Sequence, residues 1–156
     1  MGLIMWYFAY GANTHRGDMA RRCPASVARG VALLPRHRFV YRGGLAHLEE
    51  APGALGAWGV LWAVTPRCLE ALDAFEGYPT LYDRRRFWVQ RANGQGESAW
   101  LYLLQGEVGD GPPQASYHQT LLTGYHQFGL DPAPVVAAHL AARQPCQSPP
   151  ICRGEP

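Results

Sequence analysis

The 156-residue chain has no lysine, only four cysteines and no long hydrophobic run. All 14 of its basic residues are arginine, and the 12 acidic residues nearly balance them, which gives a net charge of +2. A charge this small argues against nucleic acid or an anionic membrane as the main partner. The apolar stretches are much shorter than the roughly 20 residues that a membrane-spanning helix requires. The sequence therefore predicts a globular protein with neither nucleic acid nor membrane as partner.

The four cysteines, Cys23, Cys68, Cys146 and Cys152, form neither a disulfide-rich nor a C-x-x-C pattern. Cys68 falls on an apolar helix stripe, where a thiol behaves as a small hydrophobic group. Cys146 and Cys152 lie in a Pro-rich tail, and their spacing is a poor zinc or redox signal. The apolar start, residues 3–10, is short and has no basic flank or cleavage site of a secretory signal. We therefore expect a cytoplasmic protein.

The length is that of one domain. We predict a single domain over residues 1–143 and a flexible, Pro-rich tail over residues 144–156. Strands are predicted near residues 4–10, 28–34, 37–42, 45–48, 57–64, 84–90 and 99–104, and helices near residues 16–23, 66–76, 116–128 and 132–142. Six or seven strands with interspersed short helices favour an α+β fold, and a partly closed barrel is one arrangement that they allow.

Glu76 breaks a local rule at the end of the clearest predicted helix, which Thr65 caps and Gly77 ends. The last turn of a helix carries partial negative charge and prefers basic residues, but here it contains Asp73 and Glu76. This position and an apolar setting would both raise the pKa of the Glu76 carboxyl toward the range useful for proton transfer. The pattern alone still favours the alternative, an ordinary solvated glutamate at a helix end.

A polar turn, Gly11-Ala12-Asn13, directly follows the first buried strand. Glycine and asparagine tolerate a left-handed backbone, so this turn can direct successive N–H groups into one concavity that binds a carboxylate or an oxyanion. The turn has neither the phosphate-loop nor the dinucleotide-binding spacing of glycines. An ordinary turn between a strand and a helix is the alternative.

The two features together resemble a known family. Residues 7–13 read Y-F-A-Y-G-A-N and closely resemble the Y-F-A-Y-G-S-N strand and loop of the γ-glutamylcyclotransferase family. Residues 57–84, with G-V-L-W, L-D-A-F-E-G and Y-D-R, look like its second conserved block, and L-Y-L at residues 101–103 looks like its third. The resemblance covers most of residues 4–140. The AIG2-like and ChaC-like branches share parts of these motifs.

The resemblance implies a small mixed β-barrel flanked by short helices. It also implies an enzyme, of carbon–nitrogen lyase or acyltransferase type, that cyclises the γ-glutamyl part of a small amide to 5-oxoproline and releases an amino acid or amine. Neither metal nor cofactor is expected, and the protein would act as a monomer or homodimer. A non-catalytic module that binds a metabolite or a partner on the same fold is the alternative, because fold does not fix function.

The resemblance also assigns roles to residues. The catalytic carboxylate falls on Glu76, and the substrate-binding residues are those of the loop and its strand together with two tyrosines further along the chain: Tyr7, Tyr10, Gly11, Ala12, Asn13, Tyr82 and Tyr102. Core and pocket positions remain equally open for Tyr7 and Tyr82. Ala12 departs from the family's serine. The change is tolerable if the loop works through its backbone N–H groups, whereas it alters affinity or specificity if the serine hydroxyl binds substrate.

Three consecutive arginines alternate faces on a predicted strand, so they cannot form one basic patch. We expect them to be solvated, with Arg84 the single candidate to orient a carboxylate.

Overall fold

The structure is a computed structural model that describes residues 4–106, 108–109 and 111–144. The strands are β1 (Met5–Ala9), β2 (Val27–Leu34), β3 (His37–Arg42), β4 (Leu45–Glu50), β5 (Ala57–Val64), β6 (Tyr82–Arg91) and β7 (Gly96–Leu104). The helices are α1 (Arg16–Arg22), α2 (Pro66–Glu76), α3 (Ala115–Gln127) and α4 (Ala133–Arg143), and a 3₁₀ turn, Ala12–Thr14, lies between β1 and α1.

Five strands close into a barrel in the order β1-β5-β2-β6-β7. Neighbouring strands are antiparallel except where the barrel closes, at which Tyr7 of β1 pairs in parallel with Trp100 of β7. Strands β3 and β4 form a separate two-stranded sheet. The predicted α+β fold with a small mixed barrel is confirmed, and the barrel is closed rather than partly closed.

Strand pairing moves several predicted boundaries. Strand β6 begins two residues earlier than expected because Tyr82 pairs with Leu104 at the end of β7. Strand β4 continues to Glu50 because that residue pairs with His37. Residue composition cannot reveal these extensions, since a partner strand supplies the hydrogen bonds that define them.

Helix α2 has the ends that the sequence predicts. The Thr65 side chain accepts a hydrogen bond from the Cys68 N–H at 3.2 Å, and Gly77 adopts a left-handed conformation with φ of 67°. Cys68, Leu69 and Leu72 are buried and hold the helix against the rest of the protein. Because Gly77 ends the helix, Glu76 is its last residue.

Helix α3 packs against the 3₁₀ turn at a glycine. A Cβ atom added at Gly124 would lie 2.8 Å from the His15 nitrogen and 2.9 Å from the Thr14 carbonyl carbon. No larger residue allows the helix and the turn to approach this closely. Helix α3 thus supports the turn that follows β1.

Two of the four cysteines, Cys23 and Cys68, are buried free thiols. Cys146 and Cys152, with all of the predicted tail except Gln144, lie outside the described residues. Within the described part of the chain, no helix combines the length and the apolar character needed to cross a bilayer. The cytoplasmic location stays a prediction.

Candidate active site

A cavity of about 120 Å³ lies where β1 and α2 end and β6 begins. It is lined by every site residue that the sequence analysis proposed, namely Tyr7, Tyr10, Gly11, Ala12, Asn13, Glu76, Tyr82 and Tyr102. Five further residues complete the wall: Leu45, Ala46, Phe75, Leu81 and Tyr117. The fold thus brings the loop after β1 and the end of α2 to one hollow.

Glu76 is the sole carboxylate among the described residues that line this cavity. Burial raises the pKa of the Glu76 carboxyl from 4.5 to about 7, although the positive charge of Arg22 opposes the increase. The expected rise in pKa is therefore found, and its main cause is desolvation. A carboxyl group with a pKa near neutrality can both accept and return a proton.

Asn13 holds Glu76 to the loop. This buried side chain donates from Nδ2 to Glu76 Oε1 at 3.3 Å and to the Tyr7 hydroxyl at 3.0 Å. Its Oδ1 accepts from Arg22 Nη1 at 2.7 Å, and its backbone oxygen accepts from Trp62 Nε1 at 3.0 Å. Residues from β1, α1 and α2 therefore fix the side-chain amide of Asn13, and a residue from β5 fixes its backbone.

Three of the cavity tyrosines donate a hydrogen bond from their hydroxyl groups to other protein groups. Tyr10 donates to the Tyr102 carbonyl oxygen at 2.5 Å, and Tyr82 donates to the Ala46 carbonyl oxygen at 2.8 Å. Tyr102 donates to Asp73 Oδ1 at 2.6 Å. Burial raises the pKa of all three phenols well above 10, so they stay neutral near pH 7. Their rings form the walls of the cavity, and both core and pocket descriptions apply to them.

The loop does not have the left-handed backbone that its sequence suggested. Neither Gly11 nor Asn13 has a positive φ, and residues 12–14 form one 3₁₀ turn instead. Glycine is favoured at position 11 by space, because an added Cβ would lie only 3.2 Å from the Ala46 Cβ. The N–H groups of Thr14 and His15 donate within the turn. The earlier N–H groups, at the start of the turn, are those that a 3₁₀ turn leaves available.

Arg84 is mostly buried, with 20% of its side chain exposed, and not solvated to the extent expected. Its Nη1 donates to Asp73 Oδ2 at 2.5 Å, and its guanidinium lies 4.9 Å from the ring centroid of Tyr78 and 4.7 Å from that of Trp100. It does orient a carboxylate, as proposed, but the carboxylate belongs to the protein. Through Asp73, Arg84 fixes the hydroxyl of the cavity residue Tyr102.

Sequence reasoning missed Arg22, Leu81, Tyr117 and the β4 residues Leu45 and Ala46. Tyr117 lines the cavity from α3 and accepts a hydrogen bond from the Ala46 N–H at 3.3 Å. Tyr117 lies far along the chain from every motif, so no local sequence pattern indicated that it belongs to the site. The described residues contain no group of three or more His, Cys, Asp or Glu that could hold a metal ion.

Comparison with known proteins agrees with this architecture. The human protein gamma-glutamylcyclotransferase is 26% identical over 136 residues, which cover 80% of this chain and 71% of the human one. A solved structure of a gamma-glutamyl cyclotransferase has a TM-score of 0.77 at 24% identity, covering 94% of this chain and 92% of that chain. The crystal structure of YkqA from Bacillus subtilis has a TM-score of 0.72 at 21% identity, covering 89% of this chain and 54% of that chain.

At these identities the two solved structures show the shared fold alone. The family model described as gamma-glutamyl cyclotransferase, AIG2-like, matches residues 7–126 of this sequence. The matched range contains the loop after β1, the end of α2 and all of the barrel except the first two residues of β1. The resemblance found in the sequence is thereby confirmed, and the chain belongs to the gamma-glutamyl cyclotransferase, AIG2-like family.

Proposed function

We propose that this protein cyclises the γ-glutamyl group of a small γ-glutamyl amide to 5-oxoproline and releases the free amine. Family membership supports a cyclotransferase-like activity. The main support for this reaction is the environment of Glu76. Its carboxyl group has a pKa of about 7 and lies in a cavity lined by neutral tyrosines. Such a group has the proton affinity that both halves of this reaction require.

The substrate already contains its nucleophile. The α-amino nitrogen of a γ-glutamyl group closes a five-membered ring when it attacks the γ-carbonyl carbon. The protein therefore has to fold the chain of the substrate so that these two atoms approach each other. A small cavity with aromatic walls suits this task, because it restricts the extended conformations of the glutamyl group.

Glu76 begins the reaction as a carboxylate. An α-ammonium group has no lone pair, so Glu76 removes one proton and the amine can attack the carbonyl carbon. The carbonyl π electrons move to oxygen and form a tetrahedral oxyanion. As the ring closes, the second proton of the attacking nitrogen passes to the nitrogen of the scissile amide.

Donors near the loop would stabilise the oxyanion. The Tyr7 hydroxyl accepts a hydrogen bond from Asn13 and, within the described residues, makes no other, so its own hydrogen is available. Burial keeps this phenol protonated, because it raises the Tyr7 pKa well above 10. The early N–H groups of the 3₁₀ turn are the second source of donors. Each well-placed donor lowers the barrier by about 3–4 kcal/mol.

The protonated Glu76 completes the reaction as an acid. The bond between the scissile nitrogen, which has received the second proton, and the carbonyl carbon breaks, and the departing amine takes the proton of Glu76 and leaves as an ammonium ion. The carbonyl re-forms in 5-oxoproline, and Glu76 returns to a carboxylate. One residue thus serves both steps, and no external reactant is needed.

Turnover by purified protein tests this proposal. Full-length wild type is incubated with γ-glutamyl dipeptides and γ-glutamyl amines, and 5-oxoproline is quantified by mass spectrometry. Glu76→Gln preserves the shape of the side chain but removes the base, so we expect kcat to fall by about 10²–10⁴ with binding largely unchanged. The matched control is Glu70→Gln, which alters an exposed glutamate on the same helix. Equal turnover by Glu76→Gln and wild type would refute the role of Glu76.

The alternative is a binding module on the same fold, and Ala12 is the observation that favours it. This residue lines the cavity where the family has a serine hydroxyl. Calorimetry with the same γ-glutamyl compounds separates the two functions. Binding without release of 5-oxoproline from any substrate supports the module, whereas turnover supports the enzyme.

A further inference from the structure

Arg22 does not line the cavity, but its positive charge acts on the candidate base Glu76. Arg22 is the last residue of α1, and its side chain is 21% exposed. Its guanidinium lies 3.5 Å from the ring centroid of Phe75, the residue before Glu76. Its Nη1 donates to Asn13 Oδ1 at 2.7 Å and lies 3.6 Å from Asp18 Oδ2. Arg22 therefore contacts both segments that form the candidate site.

The contact with Asn13 determines which way its amide faces. A side-chain amide can present either oxygen or NH₂ to a given neighbour, whereas a guanidinium has donors only. Arg22 therefore requires the Asn13 oxygen to face it. The NH₂ group must then face Tyr7 and Glu76, as observed.

The orientation of the amide decides which form of Glu76 it stabilises. With NH₂ toward Glu76, the hydrogen bond favours the carboxylate, which can accept it with either oxygen. With the amide reversed, its oxygen would accept a hydrogen bond from Glu76 and would favour the protonated acid. Removing the guanidinium makes the reversed orientation available and also removes a positive charge that lowers the Glu76 pKa.

We propose that Arg22 is a positioning residue that locks the Asn13 amide with its NH₂ group toward Glu76 and thereby keeps Glu76 able to accept the substrate proton. The inference rests on the proposed cyclotransferase function. Arg22 does not touch the substrate in this scheme, and it acts through Asn13 and through its charge. The other titratable groups that act electrostatically with Glu76 are neutral phenols from β1, the loop, β6 and α3: Tyr7, Tyr10, Tyr82 and Tyr117.

The pH profile of kcat/KM for 5-oxoproline formation tests the proposal. Arg22→Met removes the donors and the charge but keeps an unbranched side chain. An opposite charge shifts a carboxyl pKa by about 1–3, so the acid limb of the profile should move to higher pH, with about tenfold or greater loss on that side. The loss should shrink at alkaline pH. Arg22→Lys, which keeps a donor and a charge, should restore part of the profile.

Arg21 provides the matched control. It neighbours Arg22 on α1 and also pairs with Asp18, but its side chain is 73% exposed. Arg21→Met should leave the profile unchanged. A merely structural role for Arg22 would lower kcat/KM by the same factor at every pH. That result, or an unshifted acid limb in Arg22→Met, overturns the proposal.

A second measurement separates this inference from the proposed function. The carboxyl carbon of Glu76 is titrated by ¹³C NMR in wild type, Arg22→Lys and Arg22→Met, with the signal assigned by its absence in Glu76→Gln. A higher midpoint in Arg22→Met supports the positioning role even if no γ-glutamyl amide is turned over. An unchanged midpoint in both Arg22 variants overturns it even if wild type is an active cyclotransferase. Should Arg22→Met fail to fold, the Arg22→Lys titration and profile decide in the same way.

Discussion

Replacing Glu76 with glutamine should change the stability of the protein in a way that depends on pH. Burial raises the pKa of Glu76 from 4.5 to about 7 in the folded state. Between these two pH values the folded protein keeps a proton that the unfolded chain has released. Stability from the protonated carboxyl is therefore complete below pH 4.5 and is lost as the pH rises through about 7.

The size of this change in stability follows from the difference between the two pKa values of Glu76. A pKa that rises from 4.5 to about 7 corresponds to at most about 3 kcal/mol of unfolding free energy, with some reduction because solvent reaches part of the residue. Glutamine is neutral at every pH and still offers Asn13 an oxygen acceptor. Relative to wild type, Glu76→Gln should become more stable by up to this amount as the pH increases from below 4.5 to above 7.

Urea unfolding of both proteins across this pH range measures the effect. The difference between the two free energies of unfolding is compared at the acidic and alkaline ends, which removes any constant effect of the substitution. Glu70→Gln, on the exposed side of α2, should give a curve parallel to that of wild type. If the difference between wild type and Glu76→Gln is the same at both ends, the Glu76 carboxyl is solvated and lacks the raised pKa that its role as a base requires.

Two further substitutions test the supports of the cavity. Gly124→Ala forces the backbone at Thr14 to move, so kcat/KM for 5-oxoproline formation should fall about a hundredfold, whereas Gly53→Ala, whose added methyl meets open space, should not change it. Wild-type kinetics in Gly124→Ala would show that the turn is free to shift. Tyr10→Phe removes the donor to the Tyr102 carbonyl oxygen, so the free energy of unfolding measured in urea should fall by about 1–2 kcal/mol. An unchanged unfolding midpoint would contradict that bond.

Short stretches of sequence determine much of the secondary structure. Thr65, Pro66 and Gly77 define α2 through capping and backbone conformation, and these effects act within a few residues. The same local signals place Glu76 at the end of the helix. The turn at Asn93-Gly94 likewise defines the hairpin of β6 and β7. Elements set by local forces could therefore be predicted, with errors only at their ends.

Barrel closure could not be predicted in the same way. The parallel pairing of Tyr7 with Trp100 joins positions far apart in the chain. Strands β3 and β4 pair with each other and not with the barrel, which depends on how the five barrel strands pair among themselves. Many pairings satisfy the same alternation of apolar and polar residues. Only the packing of the whole domain selects among them.

The candidate site likewise combines features that the local sequence determines with features that depend on the tertiary structure. The sequence by itself determined a polar turn after a buried strand and a glutamate at the end of a helix, because each follows from its immediate neighbours. The tertiary structure decided that Arg22 holds Asn13, that Asp73 holds Tyr102 and that Tyr117 closes the wall. It also made the backbone of the turn 3₁₀ rather than left-handed. Burial, charge and hydrogen-bond geometry depend on what surrounds a group in space, and those surroundings exist only once distant segments have packed together.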